Sequence, residues 1–173
     1  LREGGGAALI LTAHMGNYDV AAPFFASRLG RRLHGVRVPE RHAEMQAYME
    51  AQRARQESAD FRVRYNHPDS FLGVELARAL AAGEIVALQG DRVVDQVSPV
   101  EVVWEGRTWP LPVGPFVLAQ AGGAPVFPIF IVRDGWRSYR VLVLPPRKPE
   151  PAVRGQRARQ QRELIAWWAG VLS

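Results

Sequence analysis

Short apolar runs alternate with amphipathic stretches along this chain. Ala7-Ala8-Leu9-Ile10-Leu11 is uninterrupted by any polar residue. It reads as a buried strand, placed over residues 9–13. Residues 18–29 predict a helix. Residues 32–38 alternate, with Leu33, Val36 and Val38, and predict a second strand. Residues 42–57, rich in Ala, Met, Gln, Glu and Arg, predict a helix. Residues 61–65 alternate as a short strand. Leu72, Leu76 and Leu80 then recur at helical spacing, with Asp69 or Ser70 placed to cap that helix and Gly83 to end it.

Residues 85–88 read as another short buried strand. Residues 100–104 and 107–111, separated by Glu105-Gly106, predict a hairpin. A helix over 115–121 opens with Pro115 near its first position. Strands over 124–132 and 139–144 are divided by a turn at Asp134-Gly135. After a proline-rich segment, a last helix spans 153–172, with Leu164, Ile165, Trp168, Val171 and Leu172 on one stripe. Packing of that stripe on the domain is expected ahead of an interfacial membrane role.

Strand and helix alternate first, and strands dominate later. The order predicts an α/β fold: a single-domain αβα sandwich with a mostly parallel mixed sheet. Residues 1–150 are expected to form the main domain. Residues 151–173 are expected to form a C-terminal amphipathic helix packed on it or extending from it.

The length of 173 residues suits one domain with a sizeable core, and 47% apolar with 23% charged residues marks a globular chain. Cysteine is absent, which excludes disulfides and thiolate-ligated metal sites. No stretch approaches the roughly 20 apolar residues that span a bilayer. The nearest, residues 116–132, is broken by Gln120, Gly122, Gly123, Pro125 and Pro128. The chain starts at Leu1 and enters a core strand within a few residues, so it is expected to be part of a longer protein.

The formal net charge is +5, from 22 basic and 17 acidic residues. The excess gathers near the C-terminus, and almost all of it is arginine. Such patches favour phosphate-bearing partners, nucleic acid or anionic lipid, although an ordinary arginine-rich surface also accounts for them. No nucleic-acid reader motif is recognisable, so no nucleic-acid partner is expected. The histidines at 14, 34, 42 and 67 lack metal-ligand spacing, so no metal site is expected.

The candidate chemistry sits directly after the first strand, in His14-Met15-Gly16-Asn17-Tyr18-Asp19. An imidazole with a carboxylate partner is a common device for taking a proton from a hydroxyl. The passage from strand to helix is where α/β folds expose such groups. His14 and Asp19 are therefore the candidate catalytic pair. Backbone N–H groups near Gly16 and Asn17, at the start of the next helix, are candidates for stabilising an oxyanion. Arg37 and Asn66 also end predicted strands and are weaker candidates to face the same cleft. Trp104 and Trp109 on the predicted hairpin read equally as core, as groove lining or as residues at a membrane interface.

His14-x4-Asp19 resembles the first motif of the lysophospholipid acyltransferase superfamily. The full hexapeptide is closest to the branch that acylates lipid A precursors, which typically carries His-Phe-Gly-Asn-Trp-Glu. Met15, Tyr18 and Asp19 depart from that pattern. Leu80-Ala81-Ala82-Gly83-Glu84-Ile85-Val86 and Gln89-Gly90-Asp91-Arg92 resemble the segment around the second acidic motif. Trp104-Glu105-Gly106-Arg107, Pro112-Val113-Gly114-Pro115 and Gly123-Ala124-Pro125-Val126 follow in the family's order. The resemblance covers residues 9–144.

It implies a glycerolipid acyltransferase-like fold and an enzyme that moves a fatty acyl chain from a thioester donor to a lipid or glycolipid acceptor. The donor would be acyl carrier protein or coenzyme A, with no further cofactor. His14 would be the general base and Asp19 its partner. Arg92 would hold acceptor phosphate, Asp91 would order its loop or bind acceptor hydroxyls, and Gly90 and Gly114 would line the substrate site. It also implies a membrane surface as partner, at the cytoplasmic face of a bacterial inner membrane, reached through an upstream hydrophobic anchor. The rival readings are a non-catalytic lipid-binding derivative and a thioesterase.

Overall fold

The computed structural model describes residues 6–55, 58–67, 69–94 and 97–173; the side chains of Asp19 and Val20 also lie outside what it describes. The molecule is of the α/β class. Its centre is a six-stranded sheet in the order β3-β2-β4-β1-β7-β8. The strands are β1 (Ala8–Thr12), β2 (Leu33–Arg37), β3 (Phe61–Tyr65), β4 (Ile85–Gln89), β7 (Val126–Arg133) and β8 (Tyr139–Val143). β1 pairs in parallel with β4 and β7, and β2 with β3 and β4. Only β8 runs antiparallel, against β7.

β1 explains the central layer. All five of its residues are buried. A strand covered on both faces can be apolar throughout, because no position faces water. Leu9 and Leu11 enter one core, with Leu76 and Leu80 of α3 (Leu72–Ala81), Phe116 and Ala119 of α4 (Gly114–Gly122), and Ile165 and Trp168 of α5 (Arg157–Leu172). Ala8 and Ile10 enter the other, with Ala26 of α1 (Tyr18–Leu29), Leu33, Phe61 and Ile129. The period of two along the strand thus divides its side chains between two helical layers.

The helix ends follow local chemistry. α4 has proline in its first turn and closes on Gly123 at φ +59°, with the Ala124 N–H returned to the Ala119 carbonyl at 3.0 Å. β5 (Pro99–Trp104) and β6 (Arg107–Pro112) form a separate two-stranded hairpin. Its turn places Glu105 at φ +47° and Gly106 at φ +72°. Two successive positive φ values match the twist of an antiparallel pair.

Several boundaries shift by a residue or two, and three helices depart from the sequence expectation in ways that local chemistry or the described range explains. The residue at the α3 N-cap is Phe71, not Asp69 or Ser70, and no side chain caps it. The Ser70 hydroxyl instead donates to the His67 carbonyl at 2.7 Å, a local turn that competes with capping. α5 begins at Arg157 rather than near 153, because Gly155 takes φ +82°, a left-handed conformation that interrupts a helix. α2 spans Ala43–Ala54, shorter than expected; residues 56 and 57 lie outside the described set.

Candidate functional site

Parallel strands end on one edge, so every loop that follows them meets there. β1 and β4 run in register from Ala8 with Ile85 to Thr12 with Gln89. β2 and β3 run in register from Leu33 with Phe61 to Arg37 with Tyr65. His14, Arg37, Asn66 and Asp91 therefore all lie at the carboxyl edge, within two residues of a strand end. The Gly90 N–H donates to the Thr12 carbonyl at 2.9 Å, and the Asn66 N–H to the Arg37 carbonyl at 2.8 Å, so pairing continues into these loops.

The carboxylate on the His14 ring is Asp91. Its Oδ1 lies 2.7 Å from His14 Nδ1, and its Oδ2 accepts the His14 backbone N–H at 3.1 Å. One carboxylate thus holds both the ring and the backbone of the same histidine. Each side chain is about one quarter exposed (24% and 24%), so the pair is reachable from solvent. With Nδ1–H donated to Asp91, the neutral ring carries its lone pair on Nε2, which is the arrangement of a general base. Asp19, expected in this role, lies in the first turn of α1, and its side chain is outside the described residues. The Tyr18 ring meets the imidazole edge to face at 5.9 Å.

Glycine makes both loops possible. Gly16 has φ +62°, and a Cβ there would lie 1.8 Å from the Ile131 carbonyl oxygen. The turn after His14 is thus pressed onto the β7 backbone. A Cβ on Gly90 would lie 2.7 Å from Leu11 Cδ1 and 3.1 Å from the Trp168 indole nitrogen. That nitrogen donates to the Gly90 carbonyl at 2.7 Å, which ties α5 to the loop carrying Asp91. The Trp109 indole N–H, on β6, donates to the Asp91 carbonyl at 3.4 Å. Trp104 meets Trp109 edge to face at 6.0 Å, and its own indole N–H is buried with no partner among the described residues.

A cleft of about 400 Å³ opens beside His14. One part of its lining is cationic: Arg37, Arg53 and Arg92, with Asn66 and the exposed Glu40. Another part is apolar, from Leu72, Leu76, Leu88, Leu118, Val97 and Pro115. Gly114 also lines it; Gly16, Asn17 and Gly90 are not in its lining. A smaller void of about 60 Å³ lies among residues of α1, β2 and β4, sharing Tyr18, Arg37 and Gln89 with the cleft. Thr12, in its lining, has a buried hydroxyl with no partner among the described residues.

Arg53 is the residue that sequence reasoning missed. It stands in the last turn of a largely polar helix, where arginine is ordinarily solvated, yet it is only 8% exposed. Its Nη1 donates to the Tyr65 hydroxyl at 2.9 Å, and its guanidinium lies 5.8 Å from the Tyr65 ring centre. Arg37 lies 5.8 Å from the Tyr18 ring centre. Burial, and then the neighbouring Arg53 cation, hold the Arg37 pKa below its ordinary value. Among the described residues, no group of three or more His, Asp or Glu side chains is placed to hold a metal ion. No helix among them is long and apolar enough to cross a membrane. A search of the chain against known protein families and against curated proteins gives no match to either.

Proposed function

We propose that this chain is an acyltransferase domain of the glycerolipid acyltransferase-like kind. It would move a fatty acyl group from an acyl-carrier-protein or coenzyme A thioester to a lipid or glycolipid acceptor at a membrane surface. The observation that carries this reading is the Asp91–His14 pair at 2.7 Å beside a cleft with cationic and apolar parts. A base alone fits many reactions. A base beside both a cationic surface and an apolar surface fits an amphiphilic substrate. The ordered motifs over residues 9–144 add to this.

In the proposed reaction, His14 Nε2 takes the proton of the acceptor hydroxyl as its oxygen attacks the thioester carbonyl. The carbon–sulfur bond breaks as the tetrahedral intermediate collapses, and His14 returns the proton to the leaving thiolate. Asp91 keeps the ring in the required tautomer and stabilises the imidazolium. The acceptor attacks directly, so no acyl-enzyme forms. The cytoplasmic face of a bacterial inner membrane would bring donor and acceptor together.

The test is acyl transfer from a labelled acyl thioester to a bacterial lipid extract, with wild-type protein and His14→Ala. A labelled lipid made by wild type and lost in the variant supports the proposal. Release of free fatty acid at the same rate without acceptor would replace it with a thioesterase. Product from both proteins alike would remove His14 as the base.

A further inference from the structure

We propose that the turn between β7 and β8 docks this domain on an anionic lipid bilayer, with Trp136 entering the headgroup layer and Arg133 and Arg137 meeting the lipid charge. The turn spans residues 134–138, and Trp136 at its centre is 85% exposed. An indole left in water forgoes the burial that an aromatic side chain ordinarily gains. Its position is nonetheless fixed. The Arg133 side chain donates to the Gly135 carbonyl at 3.0 Å and to the Trp136 carbonyl at 3.2 Å, and its guanidinium lies 5.9 Å from the Trp136 ring centre. The Asp134 N–H donates to the Ser138 carbonyl at 2.9 Å and closes the turn.

The charge of the turn suits an anionic surface. Residues 133–140 hold three arginines against one carboxylate, Asp134. Arg140 donates to both oxygens of that carboxylate, at 2.9 and 2.8 Å. Arg133 and Arg137 are exposed, with no ion-pair partner among the described residues. Tryptophan beside arginine is a composition that settles at a bilayer interface, where the ring lies among headgroups and the cations attract anionic lipid. A five-residue turn offers far less than the roughly 800 Å² per partner of a stable protein interface, which favours a bilayer over a protein.

The turn also stands beside the candidate site. β7 runs parallel to β1, so the turn emerges at the edge that carries His14. The Gly16 turn presses on the Ile131 carbonyl, two residues before Arg133. Met15, Val38 and Phe71, which follow β1, β2 and β3, are further exposed apolar residues at this edge. At the opposite edge, the described residues leading into β2, β3, β4 and β7 include no exposed large apolar side chain. Docking through the turn would therefore bring the His14 edge to the lipid.

Docking stands on the surface of the turn alone, whereas its service to lipid acylation rests on the acyltransferase reading. The probe is vesicles of phosphatidylcholine, alone or mixed with phosphatidylglycerol, sedimented with the full chain. Trp136→Ala, Arg137→Gln and Val103→Ala are run alongside; Val103 is an exposed apolar residue on the separate β5–β6 hairpin. Wild type and Val103→Ala should bind the mixed vesicles, less tightly as salt rises, and the phosphatidylcholine vesicles more weakly. Binding to the mixed vesicles should weaken at least about tenfold in Trp136→Ala and about fivefold in Arg137→Gln. No binding by wild type, or equal binding by all four proteins, overturns the proposal. Unchanged vesicle binding by Trp136→Ala, with lost binding to an acidic carrier protein, also overturns it and assigns the turn to a protein partner.

Tryptophan emission gives a second reading. A blue shift on the mixed vesicles that is lost in Trp136→Phe places the ring in the headgroup layer, and an equal shift in that variant overturns the placement. Vesicle binding that follows Trp136 in a protein without transfer activity would defeat the catalytic reading alone.

Discussion

Trp168, on the last helix, donates its indole N–H to the Gly90 carbonyl at 2.7 Å, one residue before the carboxylate that holds His14. The indole is fully buried and stacks on Phe130 with ring centres 5.8 Å apart. The C-terminal helix thus supports the candidate site without reaching the cleft. Trp168→Phe should keep much of the stack and leave the Gly90 carbonyl without this donor. The expected cost is about 1–3 kcal/mol in urea unfolding. Transfer activity per folded molecule should also fall, as the Asp91 loop relaxes; unchanged activity would uncouple α5 from the site.

Asp91→Asn is nearly isosteric but replaces the acceptor carboxylate with an amide. It can hold the ring in the wrong tautomer and gives no charge to stabilise the imidazolium. In a Ser-His-Asp triad the same change lowers kcat by about 10⁴. A loss of about 10² or more in kcat is expected here, with the far-ultraviolet circular dichroism unchanged. The double variant with His14→Ala should be scarcely worse than His14→Ala alone, because residues acting as one unit are not additive.

Gly16 and Gly30 share nearly the same backbone conformation, φ +62° and φ +60°, but differ in surroundings. An alanine at 30 meets nothing within 4 Å, so it should cost about 1–2 kcal/mol, the left-handed penalty alone. An alanine at 16 also drives its Cβ into the Ile131 carbonyl. Its cost should exceed that of Gly30→Ala by at least about 2 kcal/mol, and the His14 turn should be displaced. Parallel denaturation curves of the two variants make the comparison.

Glu84 binds at the opposite end of the sheet. It accepts from His34 Nε2 at 2.6 Å and from Arg32 at 3.2 Å, and His34 is buried. Glu84→Ala removes the partner of a buried N–H and should cost about 1–3 kcal/mol. Activity per folded molecule should stay at wild-type level, because His14 lies past the far end of β1 and Arg37 is at the far end of β2. A selective loss of activity would show that the two edges are coupled.

Much of this protein is local, and so is legible in its sequence. The run from Ala7 to Leu11, the Leu72, Leu76 and Leu80 spacing, and the Glu105-Gly106 turn each carry their own periodicity or backbone preference. They placed the elements in order, with errors at helix ends where Ser70 and Gly155 adopt competing turns. Placing chemistry after predicted strands also brought His14, Arg37, Asn66 and Asp91 to one edge. Tertiary structure alone decided which of them meet. β4 pairs beside β1, in register to Gln89, and only that non-local pairing sets the Asp91 carboxylate on the His14 ring. Arg53 is the sharper case. A polar helix shows no sign in sequence that one arginine is buried against Tyr65, because burial depends on what packs over a residue and not on its neighbours in the chain.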